Sequence, residues 1–227
     1  MKPTKEYNGR SRIRMYNCDC MELMKSKREN HWELSIVDPP YGIDFGNFYR
    51  TNKDSLGNRY KADKYKNSDW DNEAPDTNYF NALKQSSNEQ IVWGGNYFLD
   101  HLGSTKGFIF WYKQNPVDNF SDGEFAWTSF NKPAKCFPFR YYGGLEGKTS
   151  ASVKHHPTQK PVQLYKWLLT NYANEGDTIL DTHGGSMSIA IACWDLGFDL
   201  DVCELDTDYF NDAVKRFESH ISQTQLF

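Results

Sequence analysis

Short runs of consecutive apolar residues alternate along the chain with stretches in which apolar positions recur every three or four residues, as strands alternating with helices would. The first run, 13–17, predicts a strand, and Asp19 can cap a helix that follows to Met24. Residues 33–37 predict a second strand, which must stop at Asp38 because Pro39 and Pro40 cannot continue a ladder. Buried strands are predicted at 90–93 and 107–111, with weaker strand patterns at 124–130 and 136–142. Pro161 opens a helix running to about Tyr172, proline being well tolerated in a first turn. A strand at 178–181, a turn at His183-Gly184-Gly185, a helix at 189–196 and a strand at 200–203 closed by Glu204 then follow. In the last helix Phe210, Ala213, Val214, Phe217 and Ile221 share one face. This alternation predicts an α/β domain built on a mostly parallel sheet.

With 227 residues and 38% hydrophobic content, the chain can bury the core of one domain, so a single domain over 1–227 is expected. No window is apolar enough to span a bilayer and no apolar signal core follows Met1, so a soluble, intracellular protein is expected. The five cysteines are odd in number and form no CxxC pair, which fits free thiols and no metal site; Cys18-Asp19-Cys20 lacks the second pair that a metal would need.

Charge is distributed unevenly. Residues 43–66 hold six basic and three acidic side chains, and residues 131–160 hold six basic and one acidic, so these segments carry +8 and the remainder −12. Such runs commonly form solvated loops, yet they are also what a polyanionic partner requires. The stretch 43–77 is polar, without period, and long for a compact domain, as functional loops are.

Two motifs sit where strands end. Asp181, the glycine turn and the following helix, with Glu204 23 residues after Asp181, have the layout of a nucleoside site. There glycines admit a ligand to the backbone and the later acid accepts from ribose hydroxyls. Any tight strand-to-helix turn also favours glycine, so this pattern alone leaves both readings open. Asp38-Pro39-Pro40-Tyr41 is more specific. A carboxylate and a rigid proline carbonyl can accept both N–H bonds of an amine and aim its lone pair, while a tyrosine can stack on a base rotated out of a helix. The plainer reading is a turn with a solvated Asp and a packed Tyr.

Taken with His156-Pro157-Thr158-Gln159-Lys160-Pro161 and the later glycine turn, Asp38 to Tyr41 resembles the beta-class amino DNA methyltransferases. Ile91 to Phe98, Trp111-Tyr112-Lys113 and Glu124-Phe125-Ala126-Trp127 extend the likeness over nearly the whole chain. The resemblance implies a circularly permuted, Rossmann-like methyltransferase fold, mostly parallel with one antiparallel strand, in which the catalytic motif precedes the cofactor motifs. It implies transfer of a methyl group from S-adenosylmethionine to adenine N6 of a flipped-out base in double-stranded DNA, within a restriction-modification setting. Asp38, Pro39, Pro40 and Tyr41 would be catalytic. Asp19, Cys20, Asp38, His156, Thr158, Gln159, Lys160, Asp181, His183, Gly184, Gly185, Ser186, Glu204 and Leu205 would line the cofactor. Asp19 would meet the adenine amine, Glu204 the ribose, and Thr158 to Lys160 the methionine end. A homodimer and a cytoplasmic, nucleoid-associated location follow by analogy.

The chain departs from the family pattern at the cofactor turn, where Thr182, His183 and Met187 replace Pro, Phe and the last Gly. His183 is expected to pack or hydrogen-bond rather than act as a base. The space for a target-recognition domain is short, so 43–77 and 131–155, the two basic segments, would share DNA contact. Cytosine N4 offers a similar amine, though Asp38 in place of the serine common among cytosine enzymes favours adenine. RNA methyltransferases with the same tetrapeptide place their cofactor motifs before it, the opposite order. A catalytically silent DNA-binding subunit is the alternative of a different class.

Overall fold

The computed structural model describes residues 1–43, 73–114, 121–140 and 159–224. Its described strands form one nine-stranded sheet in the order β1-β2-β9-β8-β3-β4-β6-β5-β7. These are β1 (Lys5–Asn8), β2 (Arg12–Tyr16), β3 (Trp32–Val37), β4 (Ser87–Trp93), β5 (Ile109–Tyr112), β6 (Gly123–Thr128), β7 (Lys135–Pro138), β8 (Thr178–Asp181) and β9 (Asp199–Cys203). Among the described residues the helices are α1 (Cys20–Lys25), α2 (Thr77–Ser86), α3 (Leu99–Leu102), α4 (Val162–Tyr172), α5 (Ser188–Leu196) and α6 (Thr207–Thr224), and a 3-10 turn lies at Gly95–Tyr97.

Strands β2, β9, β8, β3 and β4 are all parallel, so their C-terminal ends share one edge of the sheet. Strand β6 runs antiparallel between β4 and β5, and β1 adds a second antiparallel strand at the opposite margin. Alternation along the strands sorts the core onto two faces. Leu34, Ile36, Ile91, Trp93, Ile179 and Val202 pack with α4, α5 and α6, whereas Val37, Val92, Leu180 and Cys203 pack with α1 and α2. Both faces are covered, as a parallel sheet requires.

From β3 the chain moves outward to β4 through α2 on one face; from β8 it moves the other way to β9 through α5 on the other face. The winding therefore reverses between β3 and β8. At such a switch point the two crossovers leave a crevice above the strand ends, where α/β sheets bind ligands.

Helix α1 begins where the sequence pattern places it, with Asp19 capping it by accepting from the N–H of Met21 at 2.8 Å. The expected apolar face of α6 is buried through Phe210, Ala213, Val214 and Phe217. Pro161 stands one position earlier than expected, as the extended residue before the helix rather than its first member. Strand β7 stops at Pro138, short of the predicted 142; residues 141 and 142 lie outside the described residues. Of the polar stretch 43–77, only residue 43 and residues 73–77 are described, and Thr77 starts α2, capped by Asp76. Among the described residues no helix is long and apolar enough to cross a membrane, and all five cysteines are free thiols.

Candidate functional site

Five strand ends line the C-terminal edge of the sheet. In spatial order they carry Asp19 after β2, Glu204 after β9, Asp181 at the end of β8, Asp38 after β3 and Gly94 after β4. Asp181 and Asp38 thus stand on adjacent strands that flank the switch point, a spacing of roughly 5 Å between backbones.

The tetrapeptide after β3 is half-buried, with Pro39 buried. Tyr41 donates its hydroxyl to Asp38 Oδ1 at 2.7 Å, and Lys160 donates its ammonium to Asp38 Oδ2. Lys160 also reaches Glu124 Oε2 at 3.2 Å, and Lys113 pairs with the other oxygen of Glu124. The Lys160 ammonium lies 5.3 Å from the centroid of the Trp93 ring. Burial pushes the Asp38 carboxyl upward, opposed by Lys160 and reinforced by Glu124. Burial would raise Glu124 as well, but Lys160 and Lys113 hold it down at about 2. The Tyr41 ring stacks on exposed Tyr97, centroids 5.0 Å apart and planes 20° apart.

The turn after β8 is tied to β9. Gly184 donates its N–H to the Cys203 carbonyl at 2.7 Å, and a Cβ there would stand 2.7 Å from Val202 Cγ2, so the turn can lie this low only with glycine. Gly185 has φ +50 and donates its N–H to Glu204 Oε2 at 2.7 Å, while Glu204 Oε1 accepts from Asp206 N–H at 2.9 Å. Met187, where the family has glycine, is itself left-handed at φ +51, and its buried side chain keeps it there. Arg216 from α6 secures the turn by donating to the Ser186 carbonyl at 2.6 Å and to Ser188 Oγ at 3.0 Å.

Burial raises Asp181 to about 8; the His183 N–H it accepts works against this, and the nearby charge of Asp38 adds to it. Burial lowers His183 to about 4, with Asp19 opposing, so its ring is neutral at pH 7. Its Nδ1 lies 2.9 Å from Thr182 Oγ1, and its ring packs edge-on against Tyr79, as expected of a packing residue. Burial also raises Glu204.

Of the residues named from sequence, Asp19, Asp38 to Tyr41, Lys160, Asp181, His183 to Ser186 and Glu204 gather along this edge. Cys20 begins α1 half-buried, Gln159 is buried beside Lys160, and Leu205 is 72% exposed. His156 and Thr158 lie outside the described residues. Lys160, assigned by resemblance to the methionine end of the cofactor, directs its ammonium at Asp38 and Glu124. Sequence reasoning gave no role to Lys113, Glu124, Gly94, Tyr97 or Arg216. Gly94 carries a signal as a glycine just past a buried strand, and Tyr97, Lys113 and Glu124 lie in segments that extend the family likeness.

The family described as DNA methylase, N6_N4_Mtase, matches residues 46–215. The chain is 26% identical to the Type II methyltransferase M.HpaI of Haemophilus parainfluenzae, over 92% of this chain and 75% of that protein. It is 24% identical to the Type II methyltransferase M2.DpnII of Streptococcus pneumoniae, over 95% and 93%. Among solved structures, the M1.HpyAVI complex with SAM superposes with a TM-score of 0.55 at 22% identity, covering 90% of this chain and 99% of that one. The cytosine-N4-specific PvuII DNA methyltransferase superposes with a TM-score of 0.59 at 14% identity, covering 95% and 88%. At these identities the structural likeness concerns the fold.

Proposed function

The chain belongs to the N6/N4 DNA methylase family, and from that premise we propose that it methylates adenine N6 of a base rotated out of duplex DNA, using S-adenosylmethionine. The observation that carries this reading is the juxtaposition across the switch point. The Asp38 carboxylate on β3 adjoins the Asp181 and glycine-turn region on β8, where a methyl donor and an amine acceptor would meet.

The residues along the edge fit the donor chemically. Glu204 keeps lone pairs beyond those given to Gly185 and Asp206, so it can also accept from ribose hydroxyls. Asp19 is exposed at the end of β2 and can accept from an adenine amine. Gly184 lets the turn lie against β9, where a Cβ would stand 2.7 Å from Val202 Cγ2, and Gly185 turns the chain at φ +50. S-adenosylmethionine supplies the electrophilic methyl group.

The chain's own work is orientation. Asp38 and the Pro39 carbonyl accept the two amine N–H bonds and thereby aim the nitrogen lone pair, and orientation of this kind is worth effective molarities of order 10^5 M or more. Both Asp38 oxygens are already held, by Tyr41 and by Lys160, so the carboxylate is fixed before substrate arrives. The Tyr41 ring, now stacked on Tyr97, offers its face to a base. Catalysis needs a neutral amine and an ionised Asp38, with the surplus proton shed after transfer.

The basic segments 43–77 and 131–155 serve as the duplex-binding surface in this proposal, and the assembly is a homodimer acting on chromosomal DNA in the cytoplasm. Incubating the protein with duplex DNA and labelled S-adenosylmethionine, then digesting to nucleosides for mass spectrometry, tests the assignment. N6-methyl-2'-deoxyadenosine is expected. N4-methyl-2'-deoxycytidine would replace the base assignment, and absence of label together with no cofactor uptake, with or without DNA, would favour a silent DNA-binding subunit.

A further inference from the structure

Four charged side chains from four separate segments alternate in sign beside the tetrapeptide: Lys113 just past β5, Glu124 in β6, Lys160 before α4 and Asp38 after β3. The Lys160 side chain is only 2% exposed. A lysine carries a compact point charge on a flexible four-carbon stem, so the groups around it decide where the ammonium rests. With Asp38 as sole partner, that ammonium could settle wholly onto the carboxylate. With Glu124 on its other side at 3.2 Å, it is held between two acids. Glu124 is anchored in turn by Lys113, whose ammonium lies 4.9 Å from the Trp111 ring centroid. The hairpin of β5 and β6 thus reaches the Asp38 carboxylate through the paired charges of Lys113, Glu124 and Lys160.

We infer that Glu124 is a positioning residue for methyl transfer: anchored by Lys113, it fixes the Lys160 ammonium so that the Asp38 carboxylate stays aimed at the substrate amine. This rests on the reading of Asp38 as the amine-binding acid. Asp38 is faced by Lys160, by Glu124 of β6, by Tyr41 of its own turn, by Asp181 of β8 and by Tyr165 of α4. Transfer requires Asp38 ionised, which sets the acid limb of the kcat profile, and Lys160 charged, which sets the alkaline limb. Removing the negative charge of Glu124 relieves repulsion on Asp38 and attraction on Lys160, so both groups release their protons at lower pH. Removing the positive charge of Lys113 acts in the opposite sense on both.

The test compares wild type, Glu124→Gln and Lys113→Met by steady-state methyl transfer to duplex DNA across the pH range in which each remains folded. Glu124→Gln is expected to lower kcat by about 10- to 100-fold, the effect of a small misplacement at a reacting centre, with KM for S-adenosylmethionine changed by less than about threefold. Both limbs should move to lower pH. Lys113→Met should lower kcat less and move both limbs to higher pH, so it carries the test if Glu124→Gln fails to fold. Limbs left unmoved in a folded variant would reduce Glu124 and Lys113 to structural roles and overturn the inference, as would wild-type kcat in Glu124→Gln. If wild-type protein transfers no methyl group, the reading of Asp38 fails, an outcome distinct from either.

Discussion

Tyr41 lies against Gly94 so closely that a Cβ on residue 94 would stand 2.2 Å from Tyr41 Cε1. Gly94 also has φ +67 and donates its N–H to the Phe125 carbonyl at 2.9 Å, so neither partner of the contact can simply retreat. Gly94→Ala would strain the backbone by about 1 kcal/mol and push the tyrosine ring off its place beside Asp38. The expected result is a fall in kcat of about tenfold or more, with S-adenosylmethionine affinity little changed, measured by methyl incorporation and calorimetry.

Glu204 joins the end of β9 to the glycine turn by accepting the N–H groups of Gly185 and Asp206. Glu204→Ala leaves both donors without their charged acceptor, at a cost of about 1–3 kcal/mol each if they stay dry. Affinity for S-adenosylmethionine should fall at least tenfold by calorimetry. Glu204→Gln, which keeps one carbonyl oxygen for Gly185, should lose less. Equal affinity in all three proteins would remove Glu204 from the cofactor site.

His183 supplies a pH-dependent signature. Burial holds its folded value at about 4, below the ordinary 6.5, so the unfolded chain binds an extra proton between those values. This contribution to stability is therefore present above about pH 6.5 and is lost as pH falls towards 4. His183→Phe removes the titration together with the contact to Thr182. The difference in Tm between variant and wild type should shift in favour of the variant as pH is lowered from 7 to about 4, in pH-resolved thermal melts. A difference independent of pH would mean that the ring titrates normally.

The sequence pattern reveals what is local. Proline pairs, cap residues and apolar runs fix where β3, β8 and β9 end and where α1 begins, so the sequence pattern already puts Asp38, Asp181, Glu204 and Asp19 at those positions. Strand β1 escaped because Lys5, Glu6, Tyr7 and Asn8 show no apolar alternation. It is an edge strand whose one inward contact is Tyr7, packed on Phe217 and donating to Glu218. Helix α2, capped by Asp76 with Tyr79, Phe80 and Leu83 on its buried side, is hard to read from sequence because it opens directly out of the aperiodic polar stretch that ends at Thr77. Lys113 and Glu124 lie in segments that extend the family likeness, but nothing local to them gives either a role. Their meaning depends on antiparallel strands pairing Lys113 with Glu124 and bringing Glu124 to Lys160, which is distant in the chain.

The central claim is that Asp38 grips the amine that receives the methyl group. Transfer of labelled methyl from S-adenosylmethionine to duplex DNA by Asp38→Ala, with cofactor affinity measured on the same preparation, tests it most directly. Transfer is expected to fall by about three orders of magnitude or more, the scale on which orientation acts, with cofactor affinity within a few fold of wild type. Near wild-type transfer by the folded variant would contradict it.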